Sequence, residues 1–188
     1  MDAIDAIQRR TSVRRYRAEP VPRETIELLL ECAVRAPNHK LTEPWRFTVL
    51  TGDAKARLGE IKAQHRLKRY PDPASAEARS TMDKMRREAL ETPAVIVIMS
   101  RVHDDEVTRE EDYAAVMMGT ANLMTAAQSL GLGTYLKTGG FMRDPALGEL
   151  VGLPDGYRVV GVLSLGYPAE AESPRRRRPA GDLTQWLG

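Results

Sequence analysis

Apolar positions recur along this chain with two periods, and the places where the period changes mark its elements. Residues 2–10 read as a short helix that ends near Arg9-Arg10. Pro20-Val21-Pro22 is a turn, with Pro22 suited to the first position of the next helix, where its missing N–H costs nothing. That helix carries Ile26, Leu29, Leu30, Ala33 and Val34 at helical spacing. It is expected to stop before Pro37, because the residue before a proline disfavours the α region. Residues 38–44 form a loop and 47–50 a strand. Two charged, amphipathic helices follow at 53–70 and 74–90, separated by Pro71-Asp72-Pro73. The run 94–99 is apolar throughout, the mark of a strand buried on both faces.

Residues 102–112 carry Asp104, Asp105, Glu106, Glu110, Glu111 and Asp112 and read as a solvated loop and helix start. A helix is expected from about 112 to 130, with Val116, Thr120, Leu123, Ala127 and Leu130 on one face and Met117, Met118 and Met124 on others. A helix apolar nearly all round is buried all round, which implies a central core helix or a subunit interface. No residue from 113 to 136 is charged. A membrane span needs about 20 apolar residues. Here Thr120, Asn122, Thr125, Gln128 and Ser129 interrupt the run and Gly131-Leu132-Gly133 breaks it, so it reads as a helix buried in protein. A short strand at 133–136, a small helix at 144–151 and a strong strand at 158–167 complete the pattern. Residues 168–188 read as an extended arm. Long helices and separated strands indicate a single α+β domain over 1–188, with helices around a small sheet.

Composition narrows the class. The 188 residues are 42% hydrophobic and 29% charged, with a net charge of +2. That balance argues against a wholesale nucleic-acid binder and against a disordered polyelectrolyte. Cys32 is the only cysteine, so the chain has no internal disulfide and no cysteine-based zinc site. The start, Met1-Asp2-Ala3-Ile4-Asp5, lacks the features of a secretory signal, and a cytoplasmic protein is expected.

Several chemistries lack their motifs. His39, His65 and His103 lie far apart, without metal-ligand spacing. There is no G-x-S-x-G elbow and no phosphate-binding G-x-x-x-x-G-K-[ST] loop. Gly131-Leu132-Gly133 lacks a third glycine and follows a helix, which disfavours a dinucleotide fingerprint.

Four polar or basic clusters remain. Residues 9–16, Arg-Arg-Thr-Ser-Val-Arg-Arg-Tyr, set hydroxyls between guanidiniums, a combination that suits phosphate; a solvated basic turn has the same composition. Residues 35–47 hold Arg35, Asn38, His39 and Trp45 between two prolines, fit for a planar ligand or for a purely structural loop. Lys137-Thr138-Gly139-Gly140 follows the uncharged helix and is otherwise a glycine turn. Four consecutive arginines, 175–178, precede Pro179; a solvated basic tail is the default for such a run.

In this order the clusters resemble the nitroreductase family of FMN-dependent oxidoreductases. The motifs are R-R-x-S-x-R, then R-A-P-N-H-K-x-x-x-P-W-x-F, a long uncharged helix, G-L-G-x-x-x-K-T-G, V-G-x-L-x-L-G-Y-P and an R-x-P tail. The likeness covers essentially the whole chain and is nearest the small bacterial NAD(P)H nitroreductases with an R-A-P-x-H-K loop. It implies an α+β fold built as an obligate homodimer, with two FMN molecules at the interface and each site drawing on both chains.

By the same resemblance Arg10, Thr11 and Ser12 form the first FMN segment, with Arg10 on the phosphate. Arg14 lies near the flavin N1–C2=O edge, and Arg35 and His39 reach FMN from the other subunit. Leu136, Lys137 and Thr138 run along the ring. Arg177 and Arg175 reach the phosphate from the tail. Two positions depart from the pattern: Leu41 stands where many members have Asn, and Thr11 where Arg or His is common. The implied reaction is a ping-pong transfer of two electrons from NADH or NADPH to a small acceptor such as a nitroaromatic or quinone, with no catalytic side chain named. Other readings are a different FMN enzyme on the same fold (a dehalogenase, a dehydrogenase or a flavin-consuming enzyme), a non-enzymatic flavin-binding module, and a nucleic-acid binder using Arg175 to Arg178 and the helix of Lys62, Arg66, Lys68 and Arg69.

Overall fold

The apolar run at 94 forms the middle of a sheet. The computed structural model describes residues 1–170 and 176–188. In chain order its elements are α1 (Ala3–Arg9), α2 (Arg23–Ala33), β1 (Trp45–Leu50), α3 (Gly52–Leu67), α4 (Ala76–Glu91), β2 (Ala94–Arg101), α5 (Glu106–Ser129), β3 (Gly133–Lys137), α6 (Pro145–Val151) and β4 (Tyr157–Gly166). Single 3-10 turns lie at His39–Leu41, Gly140–Arg143 and Ala180–Leu183. The four strands are antiparallel in the order β1-β2-β4-β3. This is the α+β arrangement of helices around a small sheet that the pattern implied.

Strand alternation divides the core. Ile96, Ile98, Leu163 and Leu165 face α2 and α5 and pack with Leu29, Val116 and Leu123. Val95, Val97, Met99 and Val162 face the other way, against Leu58 of α3 and Leu147 of α6. A helix layer on each face explains why β2 needs no polar alternation. A register shift at Ile98/Met99 inserts an extra residue into β4, so Val160 joins the first core while Val159 and Val162 join the second.

Four expectations need correction. The uncharged helix starts six residues early, at Glu106, because Asp105 caps it by accepting from the Thr108 N–H at 2.8 Å. The acidic run is therefore not wholly solvated: Asp112 is only 1% exposed. Nor is α5 buried all round. Asp112, Ala115, Val116, Gly119, Leu123 and Ala127 are buried, whereas Tyr113, Ala114, Met118, Ala121 and Asn122 are exposed. Within one chain α5 is thus not the central core helix; its second apolar face is open. Finally, Pro22 is the N-cap of α2 rather than its first residue, and α2 ends at Ala33, where Val34–Ala36 tighten into turns.

Gly119 sets the spacing of α2 and α5. A Cβ there would stand 2.6 Å from the Ala33 carbonyl oxygen, so only glycine allows this approach. No helix among the described residues is long and apolar enough to cross a membrane.

Candidate functional site

The segment after α1 becomes a partial fifth strand. The Val13 N–H donates to the Thr134 carbonyl at 2.9 Å, and Ser12 bridges Thr134 in the parallel sense. Val13 is 4% exposed and lies on Gly133, where a Cβ would stand 2.6 Å from Val13 Cγ2. Further on, the Arg17 N–H donates to Tyr167 O at 2.8 Å and the Ala169 N–H to Arg15 O at 3.0 Å. Residues 121 to 154 apart in sequence are thereby held on one edge.

That edge carries the expected cations. Arg10 is half-buried, and its Nη1 is buried without a hydrogen-bond partner. A buried guanidinium N–H left unpaired is costly, so this atom fits an anion that the protein itself does not supply. Thr11 lies beside it, half-buried, and Ser12 is exposed. The Arg14 guanidinium stands over the Tyr135 ring at 5.3 Å, and the Lys137 ammonium stands near the same ring at 5.2 Å. Strand alternation places Tyr135 and Lys137 on one face of β3 and Leu136 on the other. The Leu136 side chain packs into the core over Gly161, leaving only its backbone for a ligand on the Tyr135 face. Tyr135 was absent from the sequence-based set; its position two residues before Lys137 on a strand was the available signal.

The second cluster lies elsewhere. In the loop before β1, Lys40, Leu41 and Glu43 all adopt positive φ (56°, 50° and 44°), a strained state for residues with a Cβ. Polar contacts hold it. Asn38 Oδ1 accepts from the Glu43 N–H at 2.7 Å, and Asn38 Nδ2 donates to Thr42 Oγ1 at 2.9 Å. Thr42 Oγ1 donates in turn to buried Asp112. His39 is exposed and pairs through Nδ1 with Glu111 Oε2 at 2.9 Å. Arg35, also exposed, lines a cavity of about 550 Å³ with Cys32, Ala6 and Asn122.

The loop of His39 leads into the opposite edge of the sheet from Lys137, whereas Arg35 shares its cavity with Ala6 and Ile7 of α1, the helix that Arg10 caps. The loop enters β1 at Trp45, level with Ser100 and Arg158, while Lys137 is level with Val162. The separation is three strand spacings across, roughly 14 Å, and four residues along, roughly 13 Å. Thr138 is exposed on a cavity of about 470 Å³ shared with Tyr113, Met142 and Tyr157. Arg177 is exposed on the arm, and Arg175 lies outside the described residues.

The groove between residues 14–16 and α4 has a volume of about 640 Å³ and is lined by Arg14, Arg15, Lys84 and Arg87 together with Glu88 and Glu91. Lys62 of α3, in no motif, carries the largest pKa shift in the region. Burial, then the charge of Lys137, pull its ammonium down to about 8, against a weaker upward pull from Glu88.

Known proteins share this chain's sequence pattern and fold. The chain is 32% identical over 179 residues to the Bacillus subtilis protein named "Putative NAD(P)H nitroreductase YfhC", covering 95% of this chain and 90% of that one. The crystal structure of a nitroreductase-like family protein from Bacillus cereus superposes with a TM-score of 0.84 at 29% identity, covering 100% of this chain and 96% of that one. The FMN and NADPH-dependent nitroreductase NfnB from sphigopyxis sp. strain HMH shares the fold, with a TM-score of 0.81 at 19% identity and full coverage of both chains. The family model described as the Nitroreductase family matches residues 7–167, and the chain belongs to the nitroreductase family.

Proposed function

We propose that the protein is an FMN-dependent NAD(P)H oxidoreductase that works as a homodimer and passes two electrons to a nitroaromatic, quinone or similar acceptor. The observation that carries this reading is the buried, unpartnered Nη1 of Arg10, four residues before the Arg14 cation that shares the Tyr135 ring with Lys137. The donors fit the cofactor: a phosphate oxygen satisfies Arg10, with the Ser12 hydroxyl close by in sequence. When bound, FMN would supply the two-electron redox chemistry between nicotinamide and acceptor.

The chain's own residues supply position and field. Arg14 and Lys137 flank Tyr135 and set fixed positive charge where electron density gathers, at no cost in reorganisation. Leu136 and Thr138 present backbone along the same edge. Arg35 and His39 complete the site from a second copy, the loop that carries them entering β1 at the opposite edge of the sheet from β3. The strained loop that carries His39 and the open face of α5 both suit that contact. Arg177, with Arg175, closes the phosphate end from the arm. Donor and acceptor use one face in turn, which gives ping-pong kinetics.

The test is the visible spectrum of the purified protein, before and after NADH and then NADPH are added without oxygen. A flavin spectrum that bleaches with either donor is expected. A colourless protein that takes up no FMN, or a yellow one that neither donor bleaches, would overturn the reading.

A further inference from the structure

The cation that faces Lys137 comes from a helix that no motif covers. Lys62 lies on the α3 face that packs onto the turn Gly140–Arg143. Its Nζ stands 5.8 Å from the centre of the Phe141 ring. His65, one turn along α3, places Nε2 2.9 Å from where a Cβ on Gly140 would stand. The helix is therefore pressed against the chain just beyond Lys137, and Gly140 permits that approach.

Lys62 and Lys137 are both half-buried, and the charge of Lys137 reaches Lys62. Among the described residues neither has a carboxylate within ion-pair distance. The rings of Phe141 and Tyr135 offer each a cation–π contact, which is weaker than a desolvated ion pair and cancels no charge. The desolvation and repulsion that depress the Lys62 pKa are relieved by an anion placed between the two groups. Glu88, whose charge reaches Lys62, also lines the basic groove beside Arg14, so the groove approaches the pair from solvent.

We propose that Lys62 and Lys137 form an oxyanion subsite beside the flavin ring, which holds a carboxylate carried by the electron acceptor. The proposal rests on the flavoenzyme reading above. Arg10 already answers to the cofactor phosphate, and an acceptor stacked on the ring brings its substituents to Lys137. Two compact ammonium groups suit a small carboxylate, whereas a phosphate is better met by the guanidinium fork. Acidic aromatic acceptors are thus favoured over neutral ones of the same shape.

The experiment uses the FMN-loaded protein and compares kcat/KM for para-nitrobenzoate with that for para-nitrobenzyl alcohol. Benzoate, which is not reduced, is titrated separately while the flavin spectrum is followed. The acid-to-alcohol ratio should fall on the order of tenfold in Lys62→Met and be largely kept in Lys62→Arg. Benzoate binding should weaken by a similar factor in Lys62→Met. Lys62→Gln replaces the Met variant if that one fails to fold. An unchanged ratio with unchanged benzoate binding would overturn the subsite. So would a loss of NADPH-over-NADH preference at a constant acceptor ratio, because the pair would then read the donor's phosphate. A protein that takes up no FMN would defeat the flavoenzyme reading alone. The rise in Tm with benzoate, present in wild type and lost in Lys62→Met, would still decide the subsite.

Discussion

Thr42 Oγ1 donates a hydrogen bond to Asp112 Oδ1 across 70 residues of sequence and ties the strained loop before β1 to the buried side of α5. The other carboxylate oxygen, Oδ2, is buried without a partner. Thr42→Val therefore leaves a buried acid unpaired at both oxygens and should cost about 1–3 kcal/mol. Thr42→Ser keeps the hydroxyl and should recover most of it. Thermal denaturation of the two variants checks this; equal Tm values would show that the hydroxyl does not hold the loop.

Arg10→Ala removes the guanidinium whose buried Nη1 has no partner. The protein should fold, and FMN affinity should drop about tenfold to a hundredfold. Arg10→Lys keeps the charge without the fork and should fall between. Flavin retained through gel filtration measures the effect, and full occupancy in Arg10→Ala would remove the phosphate assignment.

Gly133→Ala drives a methyl into Val13 and should push the 10–16 segment off β3. A loss of about 1–3 kcal/mol is expected for such overpacking, together with weaker FMN binding. Val13→Ala makes room, so the double variant should be more stable than the sum of the single changes allows. Urea denaturation of all three variants reads the coupling, and strict additivity would contradict the contact.

Mixed subunits test where the site is completed. Arg10→Ala and His39→Ala each disable both sites of a homodimer if every site takes one residue from each chain. A heterodimer of the two then has one intact site. Mixing and refolding equal amounts should restore FMN binding to about one quarter of all sites. No recovery would place Arg10 and His39 in the same chain's site.

Lys62 gives a pH signature. Its folded pKa of about 8 lies below the ordinary 10.5, so the unfolded chain binds more protons between those values. Stability should therefore rise with pH across that window as the strained ammonium loses its proton, and level off above it. The gain is on the order of 3 kcal/mol. Lys62→Met should be the more stable protein at pH 7 and should lack the rise, as denaturant curves at pH 7 and 10 would reveal.

Local pattern was enough for most elements. The apolar run of β2, the alternation of β4 and the helical stripe of α2 follow from side chains that must leave water, and period alone shows which face they share. The family resemblance singled out Arg10, Arg14 and Lys137 but could not connect them: a motif records type and order, whereas proximity depends on strand register. The acidic run shows the limit in one residue. Asp112 has the same composition-level meaning as Glu110, yet the turn of α5 puts Asp112 inward onto Thr42 and Glu110 outward.

By itself the sequence determined the inventory: an α+β chain, a buried β2, and cations beside hydroxyls at 9–15 and 137. The tertiary structure decided what those groups meet. Pairing of Val13 with Thr134 brought Arg14 and Lys137 to one ring, and packing of α3 on Gly140 brought Lys62 to Lys137. It also sent the loop of His39 into β1, three strand spacings from β3. Charge and desolvation act through space over a few ångströms, and only the folded chain sets distances on that scale.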